Sequence, residues 1–383
     1  MESKKQLLVA MDAADQRVRN AMYNSNALKL GLFAANCSSG NAATKVPERW
    51  DASWEHNVAL ARLADAAGID FFLPIARWKG YPGESNFQGA SFETITWACG
   101  LLAVTERLTV FGTVHAPLVN PVFAAKQMVT ADHIGRGRFG LNIVCGWNED
   151  EFAMFGEAPL AHDDRYELGA EWISVILQLW ERDEAFDFDG KHFHLRGLRG
   201  DPKPYNGTRP LIMNAGSSPA GQDFALHHAD FLFRGLRSIE QGAQDVTTAR
   251  STAVAIGRDV GCFSAAHVLC RPTMREAEEY LHYYAEENGD WTAVDHIVEM
   301  GGRNSASLDP EVYRRLRIRF AAGHGGYPLV GTPDHIAEEM ARISHAGFTG
   351  LALSFVDYLS EFPYFRDEVL PRLERLGIRE PLH

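Results

Sequence analysis

The sequence predicts an α/β protein, a (β/α)8 barrel of the TIM type with insertions. Two observations carry that expectation: short apolar runs alternate with helical patterns almost to the end of the chain, and the count of such pairs is eight. The length agrees, since 383 residues fit one large barrel with excursions and do not require a second core.

The alternation begins with a strand at Leu30–Ala35 and a helix at Trp54–Ala67. Phe71–Ala76 is the second strand, followed by a helix near Phe92–Val104, and Leu108–Val114 is the third. Pro121–Ile134 opens on proline, a favoured first helical residue, because its missing N–H would have no partner there. Phe139–Val144 is the fourth strand, with an amphipathic helix at Asp164–Trp180 behind it. Aromatic and charged residues alternate over Phe186–Phe193, so 181–205 reads as a hairpin insertion. Leu211–Ala215, Phe231–Gly235, Cys262–Cys270 and Gly350–Phe355 complete the strands. Helices fall between them, with Thr332 capping the helix at Pro333–His345. A second insertion, 289–329, reads as irregular apart from a helix near Asp309–Phe320, and long connections of this kind often serve as lids. Residues 1–27 read as a helical arm before a single barrel at 28–383.

Composition excludes several functions. A net charge of −13 repels phosphate backbones, so nucleic acid is not an expected partner. Five widely spaced cysteines without a Cys-x-x-Cys pair argue against a zinc ribbon and a secreted disulfide framework. No apolar run reaches the ~18 residues of a membrane span, and Leu7–Met11 is too short for a signal-peptide core, which leaves the cytoplasm as the expected compartment.

In such barrels chemistry sits at the carboxyl ends of the strands. Here those ends hold neutral hydrogen-bonders and aromatics. The first strand ends in Asn36-Cys37-Ser38 where a metal hydrolase would want paired imidazoles, so no metal site is expected. His192 and His194 read as surface residues of one strand face. Gly216-Ser217-Ser218-Pro219 joins a strand to a helix, where Ser218 either caps the helix or receives a phosphate with it. Arg165 and Tyr166 open the helix after the fourth strand, as part of its charged first turn or as reach toward a ligand. Asn142 stands inside an apolar strand, where an amide must find partners. Thr113 shows the same signal more weakly, and Trp147, after Gly146, is placed to wall a pocket.

The run Gly137-Arg-Phe-Gly-Leu-Asn142-Ile-Val-Cys-Gly-Trp147, with Glu151, His162-Asp-x-Arg165-Tyr166, Ala124-Ala-Lys-Gln127 and Gly331-Thr-Pro333, resembles the luciferase-like, two-component flavin monooxygenases. Within them the chain is similar to the pyrimidine and dimethyl sulfone monooxygenases, over about Leu30 to Leu370. The resemblance implies reduced FMN from a separate NAD(P)H:flavin reductase, O2 as co-substrate, a flavin peroxide at N5 or C4a, a small-molecule substrate and a homodimer or tetramer. It implies flavin contacts at Ala76, Arg77, Asn142 and Glu151, a ribityl phosphate site at Arg165, Tyr166 and Ser218, and dioxygen held by Thr113 and Asn142. Asn36, Ile75 and Trp147 would line the substrate pocket, with Ser91 among the specificity positions.

Arg77 agrees with the sulfone enzymes, where the pyrimidine enzymes carry Lys, whereas Thr113 agrees with the pyrimidine enzymes. His115 fits neither pattern and reads equally as an acid–base group or a packed rim residue. The expected reaction is oxygenation and cleavage of a nitrogen heterocycle or cyclic amide. The alternatives are C–S cleavage of a sulfone or sulfonate, a deazaflavin-dependent dehydrogenase, and a non-catalytic flavin-binding protein.

Overall fold

The structure, a computed structural model, describes residues 20–146, 148–158, 160–301 and 309–382. Its strands are β1 (Lys29–Phe33), β2 (Phe71–Leu73), β3 (Thr109–His115), β4 (Phe139–Val144), β5 (Phe186–Asp189), β6 (His194–Leu198), β7 (Leu211–Asn214), β8 (Phe231–Phe233), β9 (Gly261–Cys270), β10 (Tyr327–Gly331) and β11 (Gly350–Ser354). All but β5 and β6 run parallel, and eight of them, with helices between, form the closed barrel of a (β/α)8 fold. The eight strands are those expected from the sequence. The antiparallel pair β5–β6 is the expected hairpin.

The described chain divides into two compact units. In the first, residues 93–233 with 20–24 and 250–261, the parallel order is β3-β4-β7-β8. Register pairs Phe111 with Gly140, Thr113 with Asn142 and His115 with Val144. Side chains alternate across a strand, so these six share one face. Gly112 is on the other face, where an added Cβ would meet Ile95 of the helix Thr94–Leu102, so the Thr113 face is the one turned away from that helix. Gly140 lies under the Phe111 ring, which a side chain there would strike.

The second unit, residues 25–92, 234–249 and 262–382, has the order β10-β9-β11-β1-β2. Phe71 and Phe263 meet edge to face, centroids 5.5 Å apart, above Gly31 and Gly350, the small residues that make room for them. Segment 289–329 is more regular than the sequence suggests: Trp291–Met300 is a helix, Pro310–Gly323 is another and β10 follows. The first of these buries Ala293, Val294, Ile297 and Val298 against Tyr81, Phe87 and Tyr284. Of the expected N-terminal arm, residues 1–19 lie outside the described residues, and Ala21–Tyr23 form one 3-10 turn. No described helix is long and apolar enough to cross a membrane.

Candidate functional site

On the face of β3 and β4 turned from the helix, Asn142 Nδ2 donates to Thr113 Oγ1 at 3.2 Å. Both side chains are buried, at 8% and 6% exposure. The Thr113 carbonyl is fixed by the Thr94 hydroxyl at 2.6 Å, which ties the strand to the helix behind it. Asn142 Oδ1 is buried with no hydrogen-bond partner among the described residues. A buried amide oxygen left open costs about 1–3 kcal/mol, so this atom needs a donor such as a water or a ligand group.

His115 ends β3 on this same face, with Nε2 3.9 Å from Glu151 Oε2. Glu151 is almost fully buried in the short helix Glu149–Met154, whose first turn is capped by Asn148 accepting from the Asp150 amide. Gly146, at φ +89°, lets that helix press in, for a Cβ there would strike the Phe152 ring. Trp147 lies outside the described residues.

A second cluster surrounds the start of the helix Pro219–His228. Ser218 caps it, Oγ accepting the Gly221 amide at 3.1 Å, and the same hydroxyl donates to Tyr166 Oη at 3.4 Å. Gly216 is needed because an added Cβ would stand 2.5 Å from the Gly221 carbonyl oxygen, and one on Gly221 would stand 2.5 Å from Tyr166 Oη. Arg165 Nη1 donates to the Gly146 carbonyl at 2.6 Å, while its buried Nε has no partner among the described residues. A cavity of about 270 Å³ opens here, lined by Val144, Cys145, Gly146, Tyr166, Gly216 and Ser217 among others. Burial pushes the Cys145 thiol up to about 12, so it stays protonated against the pull of Arg165.

In the second unit, Asn36 spends its amide on backbone. Nδ2 donates to Ile75 O at 2.8 Å and Phe92 O at 3.3 Å, and Oδ1 accepts from Ile75 N at 2.9 Å. Its place is therefore a bracket holding the ends of β1 and β2, with Ile75 half-buried beside it. Ala76 is half-buried as well, and Arg77 is buried, with Nε donating to Gln88 Oε1 at 3.3 Å and its guanidinium over Tyr81. The Ser91 hydroxyl donates to the Arg77 carbonyl at 2.6 Å.

Two residues here escaped the sequence reading. His324, at φ +50° as the cap of the helix Pro310–Gly323, packs among Tyr81, Phe87 and Phe320, and its Nδ1 has no partner among the described residues. Burial, aided by Arg77, pushes its pKa down to about 4, so the ring is neutral at physiological pH. His267 on β9, opposite Ser354, is likewise driven to about 4 by burial. A polar side chain in an apolar strand is the signal that exposed Asn142, and it was present at His267 too. His324 had no such signal.

The structure thus brings Thr113, Asn142, His115 and Glu151 into one cluster. It brings Arg165, Tyr166 and Ser218 into another, and Asn36, Ile75, Arg77 and Ser91 into a third. His194 is exposed on the hairpin beside Asp189, and His192 is half-buried just before β6. Among the described residues no cluster of His, Cys, Asp and Glu could hold a metal ion.

Comparison with known proteins places this geometry. The luciferase-like monooxygenase family model matches residues 28–350. An FMNH(2)-dependent dimethylsulfone monooxygenase of Pseudomonas fluorescens is 31% identical over 359 residues, 92% of this chain and 96% of the relative. The pyrimidine monooxygenase RutA of Acinetobacter baylyi is 28% identical, over 90% of this chain and 94% of its own. Among solved structures, riboflavin lyase with modified FMN and riboflavin superposes with a TM-score of 0.81 at 25% identity, covering 92% of each chain. With more than half its length matched by the family model, the chain belongs to the luciferase-like monooxygenases.

Proposed function

We propose that this chain is the oxygenating component of a two-component system. It would use reduced FMN from a separate NAD(P)H-dependent reductase, and O2, to oxygenate and cleave a small polar substrate. The observation that carries the reading is the Thr113–Asn142 pair, a buried hydroxyl and amide with one acceptor left open.

The residues present fit a flavin mononucleotide in kind. An open acceptor at Asn142 Oδ1 suits an N–H of a ring system, and an open donor at Arg165 Nε suits an anionic oxygen. The start of the helix Pro219–His228, cradled by Gly216 and Gly221, suits a phosphate beside Ser218 and Tyr166. When bound, reduced FMN supplies the two electrons that activate O2. The chain's own part is to bind, orient and exclude water. Thr113 and Asn142 offer fixed donors in a buried place, where they act more strongly on developing charge than water would. Ala76, Arg77 and Glu151 join the cofactor contacts in this reading, and Ile75, Trp147 and Ser91 the substrate side. Asn36 acts through its hold on Ile75.

Thr113 favours a nitrogen heterocycle or cyclic amide as substrate, and Arg77 speaks for a sulfone as the second choice. The reading further takes 28–383 as one barrel with 1–27 as an arm, assembled as a homo-oligomer in the cytoplasm. Thr113→Ala is the direct test. Turnover should fall about 100-fold, the cost of losing one such donor, with FMN affinity nearly unchanged by equilibrium titration. Turnover at the wild-type rate would remove the proposed oxygen site.

A further inference from the structure

His115 lies two residues beyond Thr113 on the same face of β3, and its ring is turned so that Nε2 approaches the Glu151 carboxylate at 3.9 Å. Both side chains are all but sealed from water. Taking a carboxylate out of water is costly unless positive charge answers it, and an imidazole at this distance answers part of it by taking up a proton. An opposite charge within ~4–6 Å favours the charged form of a histidine by about 1–3 pH units. Burial opposes this, and so would any influence of Arg165, whose Nη1 is bound to the Gly146 carbonyl. Cys145 stays a thiol, and Glu149 and Asp150 of the Glu151 helix are exposed. The 3.9 Å separation is longer than a hydrogen bond, as catalytic contacts often are before ligand is in place.

We infer that Glu151 is a positioning residue that holds the His115 side chain as an imidazolium, a proton donor standing beside the Thr113–Asn142 pair. Its use rests on the monooxygenase reading; its charge state does not. When one oxygen atom of O2 enters the substrate, the other leaves as water with two protons, and in a place that excludes solvent a side chain can relay them. His115 Nδ1, the nitrogen turned away from Glu151, would lend one of them and be reprotonated from the hydrogens that reduced flavin gives up on oxidation. No co-reactant beyond reduced flavin and O2 is then required. This assigns to His115 a role that sequence alone left open, and gives Glu151 a function through another side chain.

The test is the titration of His115 in the full chain labelled with ¹⁵N-histidine and free of flavin. Its ring signals are identified by their loss in His115→Gln. The midpoint should lie above the ordinary ~6.5 and fall by at least about one unit in Glu151→Gln, while Glu151→Asp retains most of the elevation. With reduced FMN and substrate, the high-pH limb of the turnover profile should move down with the midpoint, by the same amount. A wild-type midpoint at or below ~6.5 overturns the inference, even if Glu151→Gln does not fold. So does a midpoint that Glu151→Gln leaves in place. A raised midpoint in a chain that never couples oxygen uptake to substrate overturns the donor role and, separately, the monooxygenase reading.

Discussion

Asp132 is a carboxyl group almost wholly out of water, on the helix Pro121–Ile134, with Oδ2 accepting the Tyr205 amide at 2.8 Å. Burial pushes its pKa up to about 7, against the pull of the Tyr205 amide and of His133. The unfolded chain gives up this proton near pH 4, so between about pH 4 and 7 the folded state binds more protons and stability falls as pH rises. Below that window the group contributes nothing. Asp132→Asn has no proton to lose but only one acceptor for the Tyr205 and Phe139 amides, so its effect at pH 8 should be more favourable than at pH 4 by up to about 4 kcal/mol, at 1.36 kcal/mol per pH unit. Denaturant melts at the two pH values measure that difference; an equal effect at both would mean that packing, not protonation, is responsible. Residues of this kind are legible only in part. Asn142 stood out because an amide interrupts an apolar strand, and the structure finds it bonded to Thr113. Asn36 showed the same chemistry at a strand end, yet its amide hydrogens are taken by Ile75 and Phe92 carbonyls 39 and 56 residues away. Sequence spacing carries no trace of that.

At the scale of elements, the helix Pro219–His228 has one serine that caps it and, in the proposed reading, also faces a phosphate. The two duties separate in Ser218→Asp. Aspartate caps a helix as well as serine does, so the melting temperature should hold within a degree or two by calorimetry. A carboxylate beside a phosphate repels it, so FMN affinity should drop at least about tenfold, roughly 1.4 kcal/mol, while riboflavin, which lacks the phosphate, binds as before. Equal loss for both ligands would place the phosphate elsewhere. The eight barrel strands were legible because each is an apolar run too short for a helix and followed by one. β10 was not, since Tyr327-Pro-Leu-Val-Gly331 carries a proline that argues against a strand. Its place explains the exception: among the described strands β10 pairs only with β9, and an edge strand has amides that need no partner. The helix Trp291–Met300 did show apolar residues at helical spacing, but glycines at 289, 301 and 302 made the stretch read as loop.

For the molecule as a whole, a charge of −13 means that an anionic cofactor is held by local features against the overall field. Arg165, the glycine cradle and one helix start are such features, and they belong to a single compact unit. The family was legible from the run around Asn142 because the motif joins a strand to its active end. The substrate was not, since Arg77 and Thr113 point to different relatives and pocket shape depends on residues distant in sequence. The central claim is that the chain couples reduced FMN and O2 to oxygenation of a small polar molecule. Oxygen uptake and product mass, measured with a general flavin reductase and with uracil, pyridines, cyclic amides and dimethyl sulfone in parallel, test it most directly. The account expects uptake that rises on adding one of the nitrogen heterocycles or cyclic amides, with a product that has gained one oxygen atom. Uptake indifferent to every substrate, with no oxygenated product, would contradict it.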